Sequence, residues 1–455
     1  MKRGLVLLSA LSIAACTAPA TPPPPAAQVV PPPAWRTDPG PTAPIAADWW
    51  RSFGDPALDA LVSRALAHNP DIAIAAGRVR EARAQETIAR AQLFPTLDLG
   101  ASAAHARSLT AFGTPSIADA VQPVFQAAYE IDLFGRVGNQ VDAARFAAEA
   151  SDAAREATRL TVAAATTSGY VTLRGLDARL AIARKTATSR AEALRIARDR
   201  AEAGYTSQLE LRQAEAEYRA ATQIVPQAEL AIARQENALS LLLGESPRAT
   251  GRGLALDALH RPPVPDGLPS DLLRRRPDIA QAERTLATAD SSLAAARAQF
   301  LPQLRLTGSA GAAISSALGD PVAIWSLGGS VLAPLFQGGR LRGGVEAAAG
   351  RRDQAAFGYQ RSVLIAFREV EDNLAAVSRL AAQRAEIEQQ RNALSEALRH
   401  ATNRYEAGYT SYIEQLDAQR SLLAVELALV QLETDQINAL VALHQALGGG
   451  WRPPR

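Results

Sequence analysis

The sequence predicts an α+β membrane protein in which a long α-helical hairpin is internally duplicated and four β-strands per chain contribute to a barrel shared between subunits. Three observations point there. The pentapeptide Ala-Gly-Tyr-Thr-Ser stands at residues 203–207 and again at 407–411, each time interrupting a helix-like run of unusual length. A glycine with access to positive φ closes an incoming helix and a Thr-Ser pair opens the outgoing one, so each copy reads as a hairpin tip. Long proline-free stretches surround the tips, from Pro123 to Pro226 and from Pro334 to Pro453. Ahead of each stretch the helical period gives way to alternation, at about residues 96–133 and 303–336.

Composition narrows the class. Across 455 residues, 48 Lys+Arg stand against 46 Asp+Glu, so no basic excess points to nucleic acid as a partner. Cys16 is the only cysteine, which excludes internal disulfides and cysteine-based metal sites. Lys2 and Arg3, an apolar run over 5–15 and the small residues of Ile13-Ala14-Ala15-Cys16 make residues 1–15 a lipoprotein signal, with Cys16 as the lipidation site. Beyond that covalent lipid no cofactor is expected. No later apolar run approaches the roughly 18–20 residues of a spanning helix, so any crossing falls to strands.

Residues 16–47 hold eleven prolines between Pro19 and Pro44 and read as an extended, lipid-anchored tether. The first repeat, 48–243, opens on Trp49-Trp50-Arg51-Ser52-Phe53-Gly54-Asp55-Pro56. Its helices are expected at 55–68, 70–93, 139–203 and 208–243, and its strands at about 96–108 and 120–133. Asn69-Pro70-Asp71 starts the second helix and Pro95 stops it. Leu173, Leu176, Leu180, Ala183 and Ala187 keep the spacing of a coiled-coil seam, and a heptad register continues from Leu211 to Leu242 past a kink expected at Pro226. Residues 244–270, with five prolines, link the copies. The second repeat, 271–448, carries expected helices at 277–300, 340–406 and 411–447 and strands at about 303–315 and 322–336, before a tail at 449–455. Pro277-Asp278-Ile279 repeats Pro70-Asp71-Ile72, and Pro302, Leu304 and Leu306 repeat Pro95, Leu97 and Leu99, all 207 residues on.

Helix lengths suggest a topology. At 1.5 Å per residue the 139–203 helix reaches roughly 100 Å, the returning helix roughly 54 Å and the 70–93 helix roughly 36 Å, so two short helices end to end match the long one. Four strands cannot close a membrane barrel, which needs about eight, and an open edge in lipid leaves backbone groups unpaired at several kcal/mol each. The barrel is therefore shared, and the helices prolong it into the periplasm as a helical barrel. Two chains would give eight strands and a filled interior; three would give twelve strands and a lumen.

The Trp49-to-Pro56 motif, the run Gly267-Leu268-Pro269-Ser270-Asp271-Leu272-Leu273-Arg274-Arg275-Arg276-Pro277-Asp278-Ile279 and Leu416-Asp417-Ala418-Gln419-Arg420-Ser421 together resemble the TolC-like outer-membrane efflux family. The resemblance is greatest to its NodT-type lipoprotein branch and extends from the lipobox to about residue 448. It implies a homotrimer with a twelve-stranded barrel in the outer membrane, the exit duct through which a tripartite pump passes small molecules such as drugs from periplasm to exterior. It also implies two partners, a periplasmic adaptor (membrane fusion) protein and a resistance-nodulation-division transporter of the inner membrane, and gating at the periplasmic helix tips. Carboxylates just past the second tip, here Glu414 and Asp417, would face the pore axis and constrict it. Three copies of each would favour cations and raise some of the carboxyl pKa values by mutual repulsion.

A structural reading of Glu414 stands beside this one, because Ser411-x-x-Glu414 and Ser207-x-x-Glu210 both have the form of a capping box. Asp417 has Gln213 as its first-copy counterpart, and capping does not account for it. Arg200, Gly204 and Tyr205, with Arg404, Gly408 and Tyr409, are candidates for tip packing or adaptor contact, and the two tyrosines are expected to pack. Trp325 fits an aromatic girdle or simple packing. The histidines lack ligand spacing and no phosphate loop occurs, so neither an enzyme nor a metal site is expected. The residues alone also fit a second class of function, a lipid-anchored periplasmic coiled-coil adaptor or scaffold whose alternating stretches are soluble hairpins.

Overall fold

The computed structural model describes residues 24–38, 42–109, 111–316 and 319–453; Cys16 and the signal segment lie outside the described residues. In chain order the elements are β1 (Thr42–Ala43), α1 (Pro56–His68), α2 (Pro70–Ala91), β2 (Thr96–Leu109), β3 (Pro115–Ile131), α3 (Arg136–Glu202), α4 (Gln208–Leu242), β4 (Val264–Pro265), α5 (Leu272–Arg275), α6 (Pro277–Ala298), β5 (Gln303–Ser315), β6 (Val322–Leu332), α7 (Arg340–Glu406) and α8 (Tyr412–Ala446). The duplication is visible in the lengths: α2 and α6 have 22 residues each, α3 and α7 67, α4 and α8 35. α4 continues through Pro226. β3 begins at Pro115, earlier than the alternation suggests, because a proline at the first strand position is spared a ladder bond it cannot donate. β6 stops at Leu332, short of the expected 336, where Pro334 could not extend the ladder. Among the described residues no helix is long and apolar enough to cross a membrane.

The chain forms two compact units, and each draws on both repeats. One takes the described parts of residues 1–29, 78–152 and 281–361, the other those of 30–77, 153–280 and 362–455. The first holds a four-stranded antiparallel sheet in the order β2-β3-β5-β6. Its register places Leu99, Phe125, Ala310 and Trp325 in one cross-strand row, and Leu97, Ala127, Gly308 and Leu327 in another. Because side chains alternate, every second residue along each strand shares that face, and it is apolar over all four strands. The band ends where His105 Nδ1 and Asp119 Oδ1 pair at 2.7 Å. The opposite face carries small and polar residues, in rows such as Asp98, Gln126, Ser309 and Ser326, where the two serine hydroxyls meet at 2.7 Å. Val124, Val322, Ile324 and Leu332 are its only large apolar members among the described residues. Within the chain, β2 and β6 each keep one unpaired edge.

The second unit is built around a core that explains the Trp49-to-Pro56 motif. Trp49, Phe53, Leu58 and Val62 pack with Tyr170 and Leu173 of α3, Leu239 of α4 and Ile437 and Val441 of α8. Asp55 is fully buried and saturated: Oδ1 accepts from Ala57 N–H at 2.8 Å, capping α1, and Oδ2 accepts from the Tyr170 hydroxyl at 2.7 Å and Leu254 N–H at 2.9 Å. Burial and this bond push the Tyr170 phenol up to about 12. Helices α3 and α8 approach closely because position 175 is glycine; a Cβ there would collide with Thr434 Oγ1.

Part of the N-terminal tether is docked within the second unit: Trp35 Nε1 donates to Gly267 carbonyl at 2.7 Å, Arg36 and Thr37 N–H groups donate to the Glu371 carboxylate at 2.5 and 3.3 Å, and β1 pairs in parallel with β4. Prolines restrict the chain before it docks, so ordering it costs less entropy, and Trp35 meets Phe367 edge-on at 6.3 Å.

Candidate functional site at the helix tips

The two tips share a turn and differ in how the outgoing helix begins. Gly204 and Gly408 have φ of +76° and +78°, a region open to glycine without strain. Tyr205 N–H donates to Arg200 carbonyl at 2.8 Å and Tyr409 N–H to Arg404 carbonyl at 2.9 Å, closing α3 and α7 alike. On the exit, Ser207 Oγ accepts from Glu210 N–H at 3.3 Å and caps α4. Ser411 makes no such bond, so the capping box around Glu414 does not form. Glu414 instead accepts from the Arg404 guanidinium at 2.7 Å and from the Thr410 hydroxyl.

Arg200, the counterpart of Arg404, is drawn elsewhere: its guanidinium lies 4.8 Å above the ring of Tyr405. Glu210 is left to accept from Thr206 Oγ1 at 2.5 Å and from the Tyr405 hydroxyl. The second tip is thereby bonded to the first. Tyr405 and Tyr412, 5.6 Å apart between ring centres, complete a small apolar cluster with Leu194, Ala197, Ala214 and Leu416. Burial first, and then the bond to Glu210, push the Tyr405 phenol up to about 12.

A turn farther along, a polar cluster ties α3, α4 and α8. Arg190 is buried, bonds Gln419 Oε1 and lies 3.7 Å from Glu217 Oε2. Arg420 Nε donates to Glu217 Oε1 at 2.9 Å. The Tyr412 hydroxyl is buried beside Arg190 without a hydrogen-bond partner, and burial raises its pKa. Asp417 stands on the exposed side of α8 and takes no hydrogen bond or ion pair from any described residue. The Arg420 guanidinium one turn on interacts with it electrostatically without bonding it, whereas Glu414 is bonded to a cation.

The expectation that Tyr205 and Tyr409 pack is overturned, since both rings are exposed, as are Leu209 and Ile413 beside them. Tyr405 and Tyr412 do the packing. No local sequence pattern singles out these two, nor Glu210, Arg190, Glu217 and Arg420 as a set. The signal lies in the comparison of copies, because the first has Ala201 and Gln208 where the second has Tyr405 and Tyr412. Trp325 lies exposed on the apolar sheet face, as a girdle residue would.

Comparison with known proteins agrees with this geometry. The family model described as outer membrane efflux protein matches residues 61–245 and 268–449. The solvent efflux pump outer membrane protein SrpC of Pseudomonas putida is 37% identical over 415 residues, covering 88% of this chain and 86% of its own. The outer membrane protein OprJ of Pseudomonas aeruginosa is 35% identical over 449 residues, covering 90% and 91%. The open state of the MtrE outer membrane channel of Neisseria gonorrhoeae superposes with a TM-score of 0.83 at 29% identity, covering 94% of this chain and 96% of that one.

The Tyr405 phenol is held protonated in the folded state, so its bond to Glu210 contributes fully below pH 10 and is lost as pH rises through about 12. Tyr405→Phe should cost the tips about 1.5–3 kcal/mol, the usual worth of a hydrogen bond to a charged group, read as faster proteolysis within the tip turns. Titration of tyrosine absorbance should show one fewer phenol ionising near 12 in this variant; an unchanged count would refute the Tyr405 assignment.

Proposed function

This chain belongs to the outer membrane efflux protein family and is an efflux duct of the outer membrane, and on that footing we propose that three copies assemble into a single passage. The observation that supports the assembly is the sheet, with one apolar face, one polar face and two unpaired edges. Lipid can cover the first face and water the second, but neither edge can stand in hydrocarbon unpaired. Three chains of four strands supply a twelve-stranded barrel with a lumen lined by small polar residues. A scaffold with soluble hairpins does not account for an apolar band across four strands.

The duct carries out no reaction of its own; an inner-membrane transporter of the resistance-nodulation-division class supplies the energy, joined to it by a periplasmic adaptor. The cargo is small organic molecules, and the transporter selects it. Relatives named for solvents and toluene, for antibiotics and for pyoverdine share this architecture, which fits a duct that does not discriminate. The adaptor docks on the exposed apolar residues Tyr205, Leu209, Tyr409 and Ile413, repeated on both tips. Its binding splays the tips by replacing the Tyr405–Glu210 and Arg420–Glu217 contacts. Glu414 and Asp417 ring the constriction, and Asp417, which is exposed and makes no direct ion pair with any described residue, sets the cation preference.

In planar bilayers, Asp417→Asn should reduce cation preference more than Glu414→Gln does, and the double substitution to alanine should raise conductance as well. Equal or absent effects would remove the acids from the constriction. Tyr205→Ala combined with Tyr409→Ala should leave conductance of the isolated duct unchanged while cells become sensitive to pump substrates; retained resistance would move the adaptor surface elsewhere. Cys16 carries the lipid that anchors the mature N-terminus. Cells fed an alkyne-tagged palmitate should label the protein, and Cys16→Ser should lose the label; labelling that persists would rule this out.

A further inference from the structure

Resting on the reading above that one side of the sheet faces lipid, we propose that His105 and Arg107 bind the phosphate of a phosphorylated glycolipid in the outer leaflet of the outer membrane. Charge on the apolar face is confined to one place. Among the described residues, the register puts only three charged side chains there, His105 and Arg107 of β2 and Asp119 of β3. The foot of the same face has none, and Leu97, Tyr129, Ile131, Leu304, Leu306 and Val331 fill it. β2 begins at that foot, five residues after α2, and the charged groups stand near its other end, away from the helices. With the helices in the periplasm, that end lies at the outer leaflet. The leaflets of an outer membrane differ, phospholipid within and phosphate-bearing glycolipid without, and the two ends of this face differ in the same sense.

An arginine on the lipid side of a strand is costly at the middle of a bilayer and tolerated near its surface, where headgroup charge can meet it. Arg107 is exposed and takes no hydrogen bond or ion pair from any described residue. Its neighbours on that face are apolar and exposed, Leu109 on its own strand and Ile117 directly across. A cation so placed calls for an anion from outside the chain. His105 stands two residues before it, roughly 7 Å away along the strand. Its Nδ1 meets Asp119 Oδ1 at 2.7 Å, and both side chains stay open, 72% and 73% exposed. Asp119 is fixed from the far side: its N–H donates to Ser316 Oγ and its carbonyl accepts from Ser316 N–H, both at 3.0 Å. Asp119 therefore holds the imidazole, and a protonated His105 keeps Nε2–H to offer a second ligand oxygen. A guanidinium fork takes two phosphate oxygens at once. A glycolipid phosphate monoester has three terminal oxygens, enough for the fork and the imidazolium together, whereas a phospholipid diester has two.

Full-length protein in detergent, titrated with diphosphoryl lipid A and followed by native mass spectrometry, should take up lipid A in preference to dephosphorylated lipid A and to phosphatidylglycerol. His105→Gln combined with Arg107→Gln should weaken lipid A binding roughly tenfold or more, through the loss of charge-assisted bonds. Arg107→Gln alone should show most of that loss. Arg305→Gln removes a cation from the opposite face of the sheet and should leave binding unchanged. In planar bilayers the double variant should conduct as the wild type does, which reports an intact wall. Equal lipid A binding by the wild type and a conducting variant would overturn the site, as would an equal loss from Arg305→Gln, which would reduce the effect to net charge. Phosphatidylglycerol bound as tightly as lipid A would overturn the glycolipid assignment. Wild-type protein that never conducts would refute the duct reading on which the proposal stands.

Discussion

A backbone amide in hydrocarbon has no water to bond, and most of this protein's architecture answers that constraint. It forbids the four-stranded sheet from standing alone in the membrane, because β2 and β6 would each present a row of unmatched N–H and C=O groups. The strands alternate apolar and polar residues so consistently that the two faces cannot both meet the same medium. Sidedness and edge pairing would both be met by the proposed closed wall, with lipid outside and water inside.

Duplication meets this requirement economically, since a sheet built from two like hairpins has one inner seam and two edges that repeat it. The same repetition governs the helices, where equal lengths in both copies keep the tips level in sequence terms. The copies diverge at the tips. Arg404 holds Glu414 across its own turn, while Arg200 lies over Tyr405 of the other copy and leaves Glu210 to accept a hydrogen bond from that tyrosine. Two equivalent arginines therefore do different work, and the substitution that separates them is Ala201 against Tyr405.

The elements were readable from the sequence because their signals are local. Proline and glycine marked the ends of the long helices within a few residues, and alternation located all four strands. Boundaries slipped where a proline could be tolerated at a strand start, as at Pro115, or could not continue a ladder, as at Pro334. The site was less legible, for a physical reason. A capping box is a local pattern, yet at Ser411 the pattern is present without its bond, and the Glu414 carboxylate pairs with a cation ten residues away. Tyr205 and Tyr409 stood next to the turn glycines and drew attention by sequence, whereas packing selected Tyr405 and Tyr412, whose side chains meet only once both hairpins are folded. The N-terminal prolines likewise promised extension, but not the docking that Trp35 and Glu371 impose.

On the gating proposed above, the strength of the tips decides how they would open. Around Trp49 and Phe53 the second unit is closed by a broad core with a saturated carboxylate at Asp55. At the tips the copies are joined by a cluster of six buried residues, one phenol-to-carboxylate bond and one cation–π contact, and a turn farther along by the Arg420–Glu217 and Arg190–Gln419 bonds. A hydrogen bond to a charged group contributes about 1.5–3 kcal/mol and a cation–π contact about 0.5–2 kcal/mol. Parting the tips therefore costs a few kcal/mol per subunit through these named contacts, far less than disrupting the core. A partner that binds the splayed tips more tightly by that amount moves the equilibrium, and binding both states equally would move nothing. The arrangement suits a passage that stays closed by itself and opens for a docked protein, with the stable core keeping the rest of the helices in place while the tips part.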